Sequence, residues 1–413
     1  MAANFKPYVL GELGRIITGK TPPTVRLELF GSDFPFITPV DMHDVKFTRV
    51  AERYLSKEGA EFQSRYLIPA GSVAVSCIGW QMGKSILVSR PSFTNQQLNT
   101  IIPHDWVDSD FLYYALTFKR KDLFNIGSGT GVRTPIMNKT AFSEFKILLP
   151  EFNEQRRIAA ILSAYDDLIE NNTRRIAVLE EMARRIYEEW FVHFRYPGHE
   201  QAQKVETELG LVPEGWELKK LGDVANVNAS SIKRGNQPDE VLYVDIASVG
   251  TGSINDKQAF KFEDAPGRAR RLVADGDVIW SCVRPNRRSY ALVQNPESNL
   301  VVSTGFAVLS PTEVPFSFLF YAVTTDAFVG YLVNAATGAA YPAVNSGDFE
   351  SASILIPPTD LMAKFHDAVE PMMRLSESLR DKNANLRQTR DLLLPRLISG
   401  ELDVSTLVLP DAA

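Results

Sequence analysis

Two long stretches of the chain share a regular spacing of apolar positions, with steps that alternate between four and three residues. The first series is Ile158, Leu162, Tyr165, Ile169, Asn172, Ile176, Leu179, Ala183, Ile186 and Trp190. The second is Phe365, Val369, Met372, Ser376, Leu379, Asn383, Leu386, Arg390, Leu393 and Leu397. This alternation is typical of a coiled-coil seam, so we predict two long helices that pack together. A helix packed only on its own globular part has a similar period and stays open as the alternative.

Each seam carries an asparagine, Asn172 in the first helix and Asn383 in the second. A polar residue at such a position costs stability and can fix the register of the helices. We expect the helix or subunit interface to consist of Ile158, Leu162, Ile169, Asn172, Ile176, Leu179, Ile186, Trp190, Phe365, Val369, Met372, Leu379, Asn383, Leu386, Leu393 and Leu397.

Short β-branched and aromatic runs separated by Gly, Pro, Asn and Asp fill the rest of the chain. Residues 73–78 and 278–283 are typical of buried strands, and residues 110–121 and 315–331 are typical of short helices. These patterns predict a mixed α/β fold.

An internal repeat relates the two halves, because residues 128–150 align with 335–357 at an offset of 207. The repeat predicts two similar α/β domains, at 1–152 and 216–358, related by a pseudo-two-fold axis. Between and after them lie a central helix (153–196), a linker (197–215), a distal helix (359–400) and a tail (401–413). A helix of that length spans ~60 Å, against roughly 30 Å for such a domain. We therefore expect an antiparallel pair with one domain at each end.

The 413 residues carry a formal net charge of −6, which excludes a wholesale polycation. Residues 1–150 are nevertheless net positive and residues 151–200 net negative, so a local nucleic-acid-binding patch remains open. No apolar run reaches the ~18 residues of a membrane span, and the first residues lack a signal-peptide pattern. With only two cysteines, we expect a cytoplasmic protein.

Residues 14–21 (Gly-Arg-Ile-Ile-Thr-Gly-Lys-Thr) match the Walker A sequence pattern of nucleotide-binding proteins. A phosphate loop needs a helix directly after its lysine, and Pro22 forces Thr21 out of the helical region. A P-loop NTPase that uses Lys20 and Thr21 is therefore only a rival interpretation. The Gly-rich residues 127–131 could hold phosphate or form a flexible turn.

We find no catalytic constellation and no metal-ligand spacing. No two of the five histidines are three to five residues apart, as zinc sites require. Cys77 and Cys282 occupy matching positions of the repeat inside apolar strands, which favours duplicated core residues over nucleophiles.

Basic and amide-rich turns follow the strands at matching places in both halves. Arginine forks match the groove edge of guanine, Asn and Gln amides match adenine, and Lys and Arg neutralise phosphates. Ordinary solvated loops have the same composition, so each residue alone is equally well explained as surface. The DNA-binding candidates are Lys20, Thr21, Gln81, Lys84, Asn95, Gln96, Ser128, Thr130, Arg133, Lys233, Arg234, Arg270, Arg284, Asn286, Arg287, Arg288, Tyr290 and Tyr341.

Four motifs resemble one known family, the specificity subunits of type I restriction–modification enzymes. Residues 13–22 resemble its Ile-x-x-Gly-x-Thr-Pro start, and residues 154–162 (Glu-Gln-Arg-Arg-Ile-Ala-Ala-Ile-Leu) lead into Glu-Glu-Trp-Phe at 188–191. Residues 212–217 (Val-Pro-Glu-Gly-Trp-Glu) resemble the entry into the second half, and 393–402 the distal end. The distal helix departs from the pattern, because residues 361–364 lack a Gln-Arg-Arg start.

The resemblance implies two target recognition domains that each read half of a bipartite, asymmetric DNA site. It also implies helices that dock two methyltransferase subunits and the restriction subunits, in a chain without catalysis of its own. S-adenosylmethionine, ATP and Mg²⁺ would then be bound by the partner subunits. A protein-only scaffold, whose loops bind partners instead of DNA, is the second rival.

Overall fold

The computed structural model describes residues 5–43, 45–128, 134–207, 210–233 and 235–406. The chain divides into two compact units. The first unit is Met1–Asn172 together with Lys382–Ala413, and the second unit is Thr173–Asp381. Each unit thus contains one globular part and a segment of each long helix.

The globular part of the first unit alternates short strands and helices. Its elements are β1 (Lys6–Val9), α1 (Leu10–Leu13), β2 (Gly14–Thr18), β3 (Phe30–Ile37), β4 (Tyr54–Leu55), α2 (Lys57–Phe62), β5 (Val73–Ser76), β6 (Ser85–Leu87), β7 (Phe93–Thr94), β8 (Leu98–Pro103), α3 (Ser109–Phe118), α4 (Arg120–Gly127), α5 (Lys139–Ser143) and β9 (Lys146–Leu149).

A four-stranded antiparallel sheet of order β2-β8-β5-β6 forms the centre of this part. A smaller sheet of order β4-β3-β7 and the pair β1-β9 complete it. The strand β5 is buried along its whole length, as its unbroken apolar sequence predicts. The helix α3 covers the sheet with Phe111 and Leu112, each fully buried. Burial of such a side chain contributes about 1.5–3 kcal/mol, so this core holds the sheet edge in a defined place.

The first long helix, α6, begins at Phe152 and ends at Tyr187, and a single π-helical turn follows at Glu188–Val192. The predicted central helix, 153–196, therefore begins within one residue of the observed one. Its first turn is tied to the globular part through the buried Gln155 amide, which accepts from the Asp108 backbone N–H (2.9 Å) and donates to the Pro150 carbonyl (3.0 Å). The glutamine of the family-like motif thus fixes where the helix leaves the domain.

The second unit repeats the design. Its elements are β10 (Lys204–Thr207), β11 (Gly210–Pro213), β12 (Glu217–Lys220), α7 (Leu221–Val224), β13 (Ala225–Val227), β14 (Glu240–Val244), β15 (Gln258–Lys261), β16 (Ala269–Leu272), β17 (Val278–Ser281), β18 (Tyr290–Leu292), β19 (Leu300–Ser303), β20 (Phe306–Pro311), α8 (Phe316–Ala322), α9 (Asp326–Ala335), α10 (Ser346–Glu350), β21 (Ser353–Ile356) and α11 (Thr359–Ile398), the distal long helix.

The sheet β13-β20-β17-β18 has the same order and antiparallel pairing as β2-β8-β5-β6. A second four-stranded sheet, β15-β14-β19-β16, contains one parallel pair, β14 with β19. The pairs β12-β21 and β10-β11 complete the unit. The mixed α/β fold and the internal repeat predicted from the sequence are confirmed.

The two long helices run antiparallel in each unit. In the first unit Asn172 Nδ2 donates to Asn383 Oδ1 (2.9 Å), and Asn383 Nδ2 donates to the Ile169 carbonyl (3.3 Å). In the second unit the Tyr187 and Phe365 rings are 5.9 Å apart. All sixteen predicted interface residues are buried or half-buried, and none is exposed. The position of one globular part relative to the other stays a prediction.

Buried charges connect the first globular part to both helices. The Tyr114 hydroxyl donates to Asp166 Oδ2 on α6 (2.5 Å), and Arg390 Nη1 on α11 bonds Asp166 Oδ1 (2.5 Å). Burial and the Asp166 charge both raise the Tyr114 pKa far above its usual value, so the hydroxyl stays protonated and donates. This chain of contacts fixes both helices against the domain.

A bidentate ion pair performs the same task in the second unit. Arg374 on α11 bonds both Asp275 oxygens (2.7 Å each). The Arg374 guanidinium holds the pKa of Asp275 below its usual value despite partial burial.

Among the described residues, no single helix is long and apolar enough to cross a membrane. Only the pair α8 and α9, bent by 62°, meets the length and hydropathy requirement when the two helices are taken together.

Candidate DNA-recognition surface

One edge of the central sheet gathers most of the predicted loops of the first unit. Since the sheet is antiparallel, β2 and β5 end at this edge while β8 and β6 begin there. The loops at 19–21, 77–84 and 94–97 therefore meet along one rim, which we call the first recognition edge.

Backbone hydrogen bonds join these loops to one another. The Lys20 N–H donates to the Thr94 carbonyl (2.9 Å), and the Cys77 N–H donates to the Gln97 carbonyl (2.9 Å). Any Cβ at Gly19 would lie 2.2 Å from the Thr94 carbonyl oxygen, so only glycine permits this approach. Gly19, which belongs to the sequence pattern that resembles a nucleotide-binding loop, is thus required for the packing of these two loops.

Lys20 and Thr21 do not form a phosphate loop. Residues 14–18 are strand β2, and after Lys20 the chain stays irregular until a 3₁₀ turn at Leu27–Leu29. The helix N-terminus that binds phosphate in such loops does not follow Lys20. Lys20 is exposed, while the Thr21 hydroxyl donates to Gln96 Oε1 (2.8 Å).

Some candidates of the first unit hold the loops and offer little free surface. Asn95 is buried, and its amide donates to Gln97 Oε1 (2.8 Å). Lys84 is half-buried and donates to the Met42 carbonyl (3.3 Å), and the Ser128 hydroxyl donates to the Phe124 carbonyl (2.8 Å). The half-buried Gln81 lies in the 77–84 turn. Thr130 and Arg133 lie outside the described residues.

The second unit builds the same edge with the same backbone bonds. Cys282 N–H donates to Gly305 (2.8 Å), as Cys77 donates to Gln97. The Arg284 N–H donates to the Pro342 carbonyl (2.7 Å), and the Val344 N–H donates to the Cys282 carbonyl (2.9 Å). The first unit has the corresponding pairs, Gly79 to Pro135 (2.9 Å) and Met137 to Cys77 (2.9 Å). We call this rim the second recognition edge.

Arginines dominate the second recognition edge. Asn286 and Arg287 are exposed at the tip of the turn between β17 and β18. Arg284 and Arg288 flank them with φ of +52° and +53°. Residues other than glycine seldom adopt this left-handed region, and when they do, function is often the reason. Arg284 lies over the exposed Tyr341 ring (4.6 Å), and Arg288 pairs with Asp326 (2.5 Å).

The remaining candidates of the second unit divide between surface and core. The Arg270 guanidinium lies over the Phe262 ring (4.8 Å) and donates to its neighbour's carbonyl (2.8 Å). Lys233 is exposed, and Arg234 lies outside the described residues. Tyr290 is only 8% exposed and packs on Trp280, which makes it a core residue and corrects its prediction as a surface contact. Its place on strand β18 explains the error, because the turn ends just before it.

The two cysteines are not poised as nucleophiles. Burial raises the pKa of both Cys77 and Cys282 to about 11, so the thiols stay protonated at neutral pH. Asn99 Nδ2 donates to the Cys77 sulfur (3.2 Å). Within the described ranges, no group of three or more His, Cys, Asp or Glu side chains is arranged to hold a metal.

Sequence comparison finds similar proteins from one family. A profile described as the type I restriction modification DNA specificity domain matches residues 3–181. The MjaIX specificity subunit of Methanocaldococcus jannaschii is 27% identical, with 96% of this chain and 93% of that protein covered. The chain thus resembles the type I restriction–modification specificity subunits along most of its length. The family resemblance predicted from the sequence motifs is confirmed.

Further relatives extend the match. The HindI specificity subunit of Haemophilus influenzae is 43% identical over 143 residues, which cover 34% of this chain and 31% of that protein. The structure of the S subunit from M. genitalium aligns with a TM-score of 0.63 at 16% identity and covers 96% of both chains. At that identity the likeness shows the fold alone. Residues 3–181 are the part of the chain that matches a DNA specificity domain.

Sequence reasoning missed one residue of the first recognition edge. Trp80 is 79% exposed, and its ring stacks on Phe124 of α4 (6.2 Å between centroids, 30° between planes). The signal was present, because Trp80 opens the polar turn that contains Gln81 and Lys84. It was omitted because the candidates were selected mainly for charged and amide side chains.

Proposed function

We propose that this chain selects the DNA site for a type I methyltransferase and endonuclease complex and carries no catalysis itself. The first recognition edge would read one half of a bipartite, asymmetric site, and the second recognition edge would read the other. The observation that supports this proposal is the shared backbone frame of the two edges combined with their different side chains. Two edges with the same backbone arrangement can dock on DNA in the same orientation, while their different side chains select different bases.

The side chains of each edge suit different base pairs. In the first edge the exposed Gln96 has an amide that can pair with adenine, and the exposed Lys20 can neutralise a phosphate. In the second edge Arg284 and Arg287 match guanine, and Asn286 matches adenine. The net positive charge of residues 1–150 favours approach to DNA despite the acidic chain.

The long helices would supply the docking surface for two methyltransferase subunits and for the restriction subunits. In the second unit a groove of about 1330 Å³ lies between the end of α6 and the helices α8 and α9. Tyr187, Phe191 and Phe320 line its apolar floor, and Glu180 and Glu188 lie at its rim. An apolar floor with a charged rim is typical of a protein interface. S-adenosylmethionine, ATP and Mg²⁺ would then be bound by the partners, in the cytoplasm.

Methylation mapping tests this proposal. Cells that carry the whole operon should show one modified motif in two unlike parts separated by unspecified bases. If both edges approach one face of the duplex, the centres of the two parts lie about 10 bp apart or a multiple of it. A motif without an internal gap, or a palindromic one, would contradict the proposal.

A further inference from the structure

The exposed aromatic residue of the first recognition edge has a counterpart in the second. In the first edge Trp80 directly follows Gly79, whose N–H donates to the Pro135 carbonyl (2.9 Å). In the second edge Tyr341 directly precedes Pro342, whose carbonyl accepts from the Arg284 N–H (2.7 Å). These two hydrogen bonds are equivalent in the repeat. Each edge therefore presents one large aromatic ring beside the equivalent backbone hydrogen bond. Trp80 is next to the donor residue of that bond, whereas Tyr341 is next to the acceptor residue.

Both rings are far more exposed than aromatic side chains usually are. Trp80 is 79% exposed and Tyr341 is 69% exposed. An exposed ring of this size costs free energy in water, and the cost is recovered when a partner covers it. The two halves reach this arrangement with different residues on different loops, which favours a shared task over a chance feature of one loop.

Trp80 is also held in place before any partner arrives. The indole lies at 30° to the Phe124 ring, with 6.2 Å between centroids, and Trp80 stays 79% exposed. The turn behind it is closed by bonds from the Met82 N–H to Gly79 (3.0 Å) and from the Ser76 N–H to Lys84 (2.9 Å). A ring on a hydrogen-bonded turn loses less backbone freedom on binding than a ring on an irregular loop does.

We propose that Trp80 contacts a base of the half-site read by the first recognition edge, with its exposed indole ring as the contacting surface. This inference rests on the proposed function, because it names a specificity-determining residue of that surface. The neighbouring groups favour DNA as the occupant, since exposed Lys20 and Gln96 on the same edge offer a cation and an amide. Apolar contact with a thymine methyl would add selectivity for that base to the selectivity that the Gln96 amide supplies.

The test uses the full chain assembled with its methyltransferase subunits and a labelled duplex that carries the mapped motif. A second duplex has its first half-site scrambled. We expect Trp80→Ala to weaken binding to the motif duplex about tenfold or more and to leave binding to the scrambled duplex nearly unchanged. Trp80→Phe retains a ring and should restore most of the affinity. Because no charge is removed, the salt dependence should equal that of the wild type.

Trp106 provides the matched control. It is 42% exposed and follows β8 at the opposite edge of the same sheet, where it packs on Tyr8 (5.4 Å). Trp106→Ala should therefore leave both affinities unchanged. Quenching of intrinsic fluorescence by the motif duplex should disappear in Trp80→Phe and persist in Trp106→Phe.

Three results would overturn the inference. Trp80→Ala could bind the motif duplex as the wild type does, could lose affinity equally for both duplexes, or could fail to assemble with the methyltransferase subunits while the wild type assembles. The last result would assign the ring to a protein partner. A wild-type complex that does not distinguish the two duplexes would instead defeat the proposed function, which separates the two failures.

Discussion

At the scale of single residues, the structure separates candidates that are free to contact a ligand from those that build the loops. Exposed Lys20, Asn286 and Arg287 belong to the first group, while buried Asn95 and Tyr290 belong to the second. Both groups have the side-chain chemistry of a DNA contact, so only burial distinguishes them. The exposed tip at Arg287 therefore carries the sharpest residue-level prediction.

Arg287→Ala should relax selectivity at one base pair of the second half-site and leave the first half-site unaffected. The loss of a bidentate base contact reduces discrimination by about 1–3 kcal/mol. Binding of the assembled complex to duplexes with single base changes measures this effect. Arg185→Ala is the control, because Arg185 is an exposed helix arginine that pairs with Glu181 (2.6 Å) in the same unit. A uniform loss across all sequences would instead assign Arg287 to a phosphate.

Burial at this scale could not be read from the sequence. Tyr290 follows an arginine-rich turn, and the neighbouring residues in the sequence do not indicate that strand β18 begins at Tyr290. Trp80 shows the converse case, because its ring lies on the surface and was not among the predicted contacts. The start of strand β18 is set by its pairing with β17, in which Tyr290 lies opposite Trp280, and the local pattern does not contain this register.

At the scale of elements, the spacing of apolar positions was a reliable guide. The distal helix was predicted at 359–400 and is observed at Thr359–Ile398. Long, strongly periodic segments leave few alternatives, whereas short strands depend on partners far along the chain. The second sheet, with its parallel pair β14 and β19, had no such local signal.

The seam asparagines carry the prediction at this scale. Asn172→Ala should destabilise the first unit by about 1–3 kcal/mol, because it removes the hydrogen bond that Asn172 Nδ2 donates to Oδ1 of the buried Asn383 (2% exposed). Replacement of both by leucine should recover stability and loosen the helix register, since the polar pair no longer selects one alignment. Chemical unfolding and hydrogen exchange of α6 and α11 measure the two effects.

The exposed neighbour Asn171 serves as the control for this series, and Asn171→Ala should leave both stability and exchange unchanged. The explanation fails if the single Asn172 variant is as stable as the wild type. It also fails if the double leucine variant keeps a single slow-exchanging register.

At the scale of the whole molecule, the repeat is the central feature. The two sheets share strand order, and the two recognition edges share three backbone hydrogen bonds at equivalent positions. The repeat, the α/β class and the family resemblance were all accessible from sequence, because they depend on patterns longer than any one loop. The frame that joins the loops was not, since it depends on contacts such as Gly79 to Pro135 across more than fifty residues.

Exchange of one recognition domain shows whether each edge reads its own half-site. Residues 1–152 are replaced by the matching domain of a relative with a different motif, and methylation is mapped at base resolution in cells with the partner subunits. The account predicts a hybrid motif in which one half changes and the other half and the gap stay the same. A motif altered in both halves, or left unaltered, would contradict it.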